Sequence, residues 1–329
     1  MVGIIMDNMK HDKRIWITWL NQRRNKELAR EMQCSLYSIS YDGNRLIRYL
    51  LLSYRTVQIL RREKPKIVFA QNPSLILAIL LIILSSKYLH FRVIIDSHNA
   101  GLFPIEGRSR LLNRLSKVIQ QKASLTIVTN NALKEIVESN GGQAIILPDK
   151  IPHIPKKEFL KLKGEYNFLL VSSFSQDEPF MSAISAMREL SEKICLYVSG
   201  DFKKVRKAII GDSDNVIFTG FVSDQEYFQL LHSVDGVINL TYRENCLLCG
   251  AYETVAVEKP LILSDKSVLK DYFHKGSIFV ENDADSIRNG ILKAIKNKES
   301  LCDEVRELKK ELLLSWEKRK IYLNNLISA

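Results

Sequence analysis

The stretch Thr241 to Asp265, TYRENCLLCGAYETVAVEKPLILSD, concentrates groups able to do chemistry beside two apolar runs, DGVINL and PLILSD. Runs of that length and type read as buried strands, so the residues between them hold a crossover helix that opens near Gly250. Arg243 brings a permanent positive charge. The helix start turns unpaired N–H groups toward whatever lies beyond the strand ends. Glycine at position 250 lets an anion approach the backbone, with Thr241 and Ala251 in the same connection. Glu253, just inside the helix, is placed to accept hydrogen bonds from a ribose diol. This set suits a nucleoside diphosphate, with Arg243 meeting the charge of the leaving group. The plainer alternative has Glu253 capping the helix and Arg243 pairing with Glu244.

Weaker signals fit the same ligand. FTGFVSDQEY ends a strand at Gly220, and the backbone of Phe221 and Val222 is then open to the edge of a base. VSSFSQDEP puts Ser172 and Ser173 where another strand ends, near a phosphate. Taken singly these are ordinary turn residues. Cys246 and Cys249 form a lone C-x-x-C with no second pair, which reads as two reduced thiols and no metal. No cofactor is expected beyond a donor substrate. Five cysteines and an opening MVGIIMDNMKHDKR without a long apolar segment point to a reducing cytoplasm.

The elements that must position these groups alternate. RIWITW, SLYSIS, KIVFAQ, RVIIDS, LTIVTN and AIILP are short and β-branched, and longer helical segments separate most of them. The pattern restarts with NFLLVSS, ICLYVSG, NVIFTG, GVINL and PLILS. Such alternation predicts an α/β chain with two Rossmann-like, doubly wound parallel sheets. The expected boundaries are 1–150 for a first domain, 151–165 for a linker rich in proline and lysine, 166–300 for a second domain and 301–329 for a C-terminal helical segment. SLILAILLIIL is too short to span a bilayer and reads as a buried or interfacial helix.

Charge separates the halves. Residues 1 to 150 hold 23 Lys plus Arg against 11 Asp plus Glu, a net of +12, whereas the remainder is at −1. A one-sided excess points to an anionic surface or ligand.

On FTGFVSDQEYFQLLHSVDGVINLTYRENCLLCGAYETVAVEKPLILSD, together with DSHN at Asp96 to Asn99, the chain resembles the GT-B glycosyltransferases, and its second half is similar to the family 4 type. The resemblance covers nearly the whole chain. It implies two domains facing a cleft, a nucleotide sugar bound by the second, an acceptor bound by the first, and a C-terminal helix that crosses back. Two features depart from the family pattern. E-x7-E would place a glutamate at position 245, where Asn245 stands; Glu244 is one residue early, and Glu253 matches the second glutamate. The Arg and Lys pair of many retaining members is replaced by Asp177 and Glu178.

The loop after RIWITW offers Gln22, Arg23 and Arg24, with Lys26, to an acceptor's diphosphate, and Asn99 joins them as an acceptor contact. His98 follows a strand end, where it is read as a cleft residue, with Asp96 orienting it or acting as the base itself. The missing pair and the shifted glutamate lean toward inversion. The expected activity is metal-independent glycosyl transfer from a nucleoside diphosphate sugar to a lipid-linked or glycan acceptor in bacterial surface polysaccharide assembly. The protein would work in the cytoplasm, peripheral on an anionic membrane face and without nucleic acid. The alternatives are a nucleotide-sugar epimerase of the same architecture and a basic nucleic-acid-binding protein.

Overall fold

The structure, a computed structural model, describes residues 13–72, 74–202 and 213–328. These fall into two compact units, one running to Asp149 and resuming at Trp316, the other Lys150–Ser315.

The first unit is a parallel sheet of six strands: β1 (Arg14–Thr18), β2 (Ser35–Ser38), β3 (Ile67–Asn72), β4 (Arg92–Ser97), β5 (Leu125–Val128) and β6 (Ala144–Ile146). Their order is β2-β1-β3-β4-β5-β6. The described helices are α1 (Arg23–Glu31), α2 (Arg45–Glu63), α3 (Leu75–Leu84), α4 (Asn99–Leu102), α5 (Arg110–Lys122) and α6 (Asn131–Ser139). Residues of α2, α3 and α5 pack on one face around Ile15, Val68 and Ile95. On the other, Trp16 stacks on Phe69 at 5.2 Å beside Leu28 of α1 and Trp316, Leu323 and Ile327. Strands covered on both faces explain the near-continuous apolar runs. Helix α3 has only ten residues, with Leu77, Ala78 and Leu81 buried. Among the described residues no helix is long and apolar enough to cross a membrane.

The second unit repeats the plan with β7 (Tyr166–Val171), β8 (Ile194–Ser199), β9 (Val216–Gly220), β10 (Gly236–Asn239), β11 (Leu261–Ser264) and β12 (Ser277–Val280), in the order β12-β11-β10-β7-β8-β9. Its described helices are α7 (Phe180–Ala186), α8 (Asp224–Ser233), α9 (Cys249–Ala256), α10 (Ser267–Tyr272), α11 (Ala284–Lys296) and the 31-residue α12 (Lys298–Ser328). The doubly wound fold read from the sequence is therefore correct.

Two details differ from the expected boundaries. Residues 151–165 belong by contact to the second unit, where His232 bonds the Pro155 carbonyl at 3.1 Å and the Ser233 hydroxyl accepts from the Leu160 N–H at 2.7 Å. Helix α12 changes unit at Trp316, not near residue 300. Up to that point Leu301, Val305, Leu308 and Leu312 are its buried positions. Beyond it, Trp316 donates its indole N–H to Pro148 O at 3.0 Å.

Candidate functional site

In the second unit β8 and β9 lie on one side of β7, and β10, β11 and β12 on the other, so the winding reverses between β7 and β10. At such a reversal the connections beyond the strand ends diverge and leave a crevice for a ligand. The Thr241–Leu248 connection and α9 lie at that point. Helix α9 opens at Cys249, one residue before the expected start, and no side chain caps it.

Glycine at position 250 has a packing reason. A Cβ there would overlap Asn239 Oδ1 and stand 3.2 Å from Val171 Cβ, so its absence is what seats the helix start on β10 and β7. Thr254 Oγ1 donates to the Gly250 carbonyl at 2.6 Å, and Ala251 is fully buried. Where the sequence suggests close approach by an anion, the contacts show that this glycine first lets the helix dock.

Glu253 is the fifth helical residue, half-buried, and accepts a 2.7 Å hydrogen bond from the Tyr227 hydroxyl. Tyr227 lies in the first turn of α8, which a capping box of Ser223 and Glu226 fixes immediately after Val222. The contact therefore ties Glu253 to the Gly220–Val222 turn. Gly220 has φ +71, a conformation that favours glycine, and the Phe221 side chain is 90% exposed. Tyr227 was not among the residues expected. Only its place in the first turn of the helix that follows β9 hints at it.

Arg243 does not pair with Glu244. It lies 3.1 Å from Asp177 Oδ2, while Glu244 takes Lys266. The Asp177 carbonyl also accepts from Tyr242 N at 2.8 Å, so the loop after β7 is clipped to the loop after β10. Thr241 is buried there, its carbonyl accepting from Asn282 Nδ2 at 2.9 Å.

Ser172 and Ser173, expected beside a phosphate, instead hold a carboxylate. Ser172 Oγ, Ser173 N and Ser173 Oγ donate to Glu178 at 2.7, 2.8 and 2.7 Å. Three donors thus converge on an anion, and that anion is the protein's own.

In the first unit the structure corrects two assignments. Arg24 is not exposed to an acceptor. It is 7% exposed and donates through Nε and Nη2 to Asp96 at 2.9 and 2.7 Å, through Nη1 to Asp149 at 2.7 Å and through Nη2 to Leu147 O at 2.9 Å. Asp96 is not a base. Burial, the largest single influence, would raise its pKa, but the Arg24 charge and hydrogen bonds, together with the facing His98, outweigh it and hold the carboxyl well below the usual carboxylate range. An anion so firmly held has little affinity for a proton.

His98 remains, its Nε2 3.6 Å from Asp96 Oδ2 and its side chain 30% exposed. That distance is an ion-pair separation and too long for a hydrogen bond. Arg24 anchors Asp96, and Asp96 faces the imidazole. Asn99 opens the short helix α4 next to it. Among the described residues Asn72 Oδ1, Ser97 Oγ, His98 Nε2 and Asn99 Oδ1 are buried without a hydrogen-bond partner. All lie at the carboxyl ends of β3 and β4, and a Cβ on Gly101 would meet both Ser97 Oγ at 2.7 Å and Asn72 Cγ at 2.8 Å. Buried polar atoms of this kind suit hydroxyl groups. Asn72 and Ser97 were missed because a polar strand end is unremarkable in sequence.

Gln22 and Arg23 stay at the surface, Gln22 accepting from Gln71 and Arg23 lying 3.9 Å from Glu27. Among the described residues no three His, Cys, Asp or Glu side chains converge as a metal set. All five cysteines are unbridged.

Residues 154–311 match the family model described as glycosyl transferases group 1. No curated protein matches the chain in sequence. Solved structures do match it in fold. Sucrose-phosphate synthase from Thermosynechococcus elongatus superposes with a TM-score of 0.75 at 14% identity, over 96% of this chain and 98% of that one. HepE from Anabaena, in complex with UDP-glucose, gives 0.72 at 13% identity over 94% and 91%. A UDP-forming α,α-trehalose-phosphate synthase from Burkholderia vietnamiensis gives 0.72 at 10% identity over 96% and 100%.

Proposed function

We propose, from the premise that this chain is a glycosyltransferase of the GT-B fold with a group 1 second unit, that it takes its sugar from a nucleoside diphosphate sugar. The second unit holds the donor and the first serves the acceptor. The observation that carries this reading is the α9 start seated on β7 and β10 at the winding reversal, with Glu253 and Tyr227 joined beside it. A similar fold has been solved with UDP-glucose, which favours a UDP-sugar as the first donor to try.

In the reaction the bond from the anomeric carbon to the diphosphate oxygen breaks and one to an acceptor oxygen forms. The nucleoside diphosphate leaves toward Arg243 and the α9 start, where preorganised positive charge meets it. The acceptor is a lipid-linked sugar or growing glycan of the bacterial surface, a reading supported by the +12 charge of residues 1 to 150. On it the protein works peripherally at the cytoplasmic face of an anionic membrane.

Titration calorimetry with UDP, GDP and their common sugars tests the donor. Glu253→Ala should weaken nucleotide binding roughly tenfold or more without unfolding the chain, since hydrogen bonds to a charged acceptor contribute about 1.5–3 kcal/mol. Unchanged affinity removes Glu253 from the site.

Asp177 and Glu178 give a prediction of opposite sign. They sit on the cation and the donors that phosphates would use. Removing either charge in Asp177→Asn or Glu178→Gln should therefore tighten UDP binding, by roughly five- to tenfold at a partly exposed site. Weaker binding by both variants would mean that the carboxylates shape the loop for the donor and do not compete with it.

A further inference from the structure

Helix α2 departs from the pattern of a surface helix. Its inner side is ordinary, with Leu52, Thr56, Ile59 and Leu60 buried. The opposite side should be polar, yet Leu46 is 76%, Ile47 53%, Leu50 73% and Tyr54 60% exposed. Leu46, Leu50 and Tyr54 follow at intervals of four, so they form one stripe. Helix α3, packed beside α2, adds exposed Ile76 and Ile83. A clustered apolar surface of this kind marks a partner.

The charges around the stripe say which partner. Helix α2 carries Arg45, Arg48, Arg55, Arg61 and Arg62, and its one acidic residue, Glu63, is the last. Among the described residues only Arg62 of these five pairs with a carboxylate, that of Glu63 at 2.6 Å. Beside the helix a pocket of about 300 Å³ is lined by Tyr37, Ser38, Arg55, Gln58 and Arg62, with Ile39 and Ile59 completing its wall. Guanidinium groups beside hydroxyl donors are matched to a phosphate. Aliphatic and aromatic side chains flanked by arginines are the complement of an anionic bilayer, where the apolar groups enter the boundary below the headgroups. Nucleic acid would satisfy the arginines and leave four large apolar side chains in water.

We propose that α2 is the membrane-docking helix of this protein, inserting Leu46, Ile47, Leu50 and Tyr54 into an anionic bilayer and seating a lipid phosphate at Arg55 and Arg62. This deepens the lipid-linked acceptor reading and rests on it. It adds a requirement that charge alone does not make, namely binding that salt weakens but does not abolish.

Flotation of the full chain with phosphatidylcholine vesicles, with and without phosphatidylglycerol, tests it. The wild-type chain should float with the anionic vesicles and keep a fraction bound at high salt. Leu46→Ser with Leu50→Ser should lose that residual fraction, with partitioning down about tenfold or more. Arg45→Gln with Arg55→Gln should lower low-salt binding by roughly 30-fold. Emission from a Tyr54→Trp variant should shift to the blue on anionic vesicles. Equal flotation of wild type and both double variants overturns the assignment. So does self-association that Leu46→Ser with Leu50→Ser abolishes in a wild type that ignores vesicles, since the stripe would then join protein chains. Full competition by inorganic phosphate would also overturn it, because the pocket would then take free phosphate. Nucleotide affinity of the same variants stands apart: if no variant and no wild type binds any nucleotide, the donor reading fails while the flotation result stands.

Discussion

Replacing Arg24 by methionine lowers unfolding stability by about 3–5 kcal/mol, the cost of leaving a buried charge without its partner. Asp96 is fully buried and receives two of its hydrogen bonds from Arg24 at 2.9 and 2.7 Å, while Asp149 receives a third at 2.7 Å. For a unit of this size the melting temperature should fall by roughly 6–20 °C. Adding Asp96→Asn to Arg24→Met should recover much of the loss, because the uncompensated charge is then gone.

The pH dependence has a definite sign. The Asp96 pKa is depressed in the folded chain, so its contribution is fully present above the unfolded carboxyl value of about 3.9 and is lost only as pH falls through the folded value below it. Wild-type stability from this pair is therefore flat from neutral to mildly acid pH. In Arg24→Met the buried carboxyl loses the charge that held it low, so the deficit should be largest at neutral pH and shrink on acidification. Denaturant melts at several pH values check this. A variant that melts with the wild type would show that Arg24 and Asp96 contribute nothing net.

His98→Ala lowers turnover by about 10²–10⁴-fold, the usual contribution of a positioned base, while nucleotide affinity stays within a factor of a few. An inverting transfer needs a group to take the acceptor hydroxyl's proton, and Asp96 is disqualified by burial and by Arg24. The imidazole of His98, with Asp96 Oδ2 3.6 Å from Nε2, is the titratable group left at that strand end. On the proposed function Asp96 is a positioning residue that acts through it. The product's anomeric configuration by NMR and the turnover of His98→Ala and Arg243→Ala together decide the matter. Retained configuration, or a His98→Ala enzyme of near-normal turnover beside an inactive Arg243→Ala, would reduce His98 to a shaping role.

Much of the scaffold was legible from local pattern. Strands β1 to β11 announce themselves as short apolar runs, because the inner strands are buried on both faces and demand apolar residues along their length. β12 was missed, since Ser277–Val280 offers only three apolar residues between the polar and charged flanks HKG and END. The opening of α9 was read to within one residue from the glycine and the flanking strands. The charge asymmetry is a property of composition and needed no structure at all.

What only the tertiary structure decided are the partners. In sequence Arg24 looks like any basic residue at a solvated helix start, yet it lies buried because the sheet order brings it Asp96 from 72 residues away and Asp149 from 125. Tyr227 meets Glu253 across 26 residues for the same reason, and Glu178, five residues from Ser173, becomes its anion only when the loop after β7 folds back. Periodicity reports which face of an element is dry, and it does so one element at a time. Which charge faces which is set by the order of strands and the depth of burial, and those follow from how all the dry faces pack together.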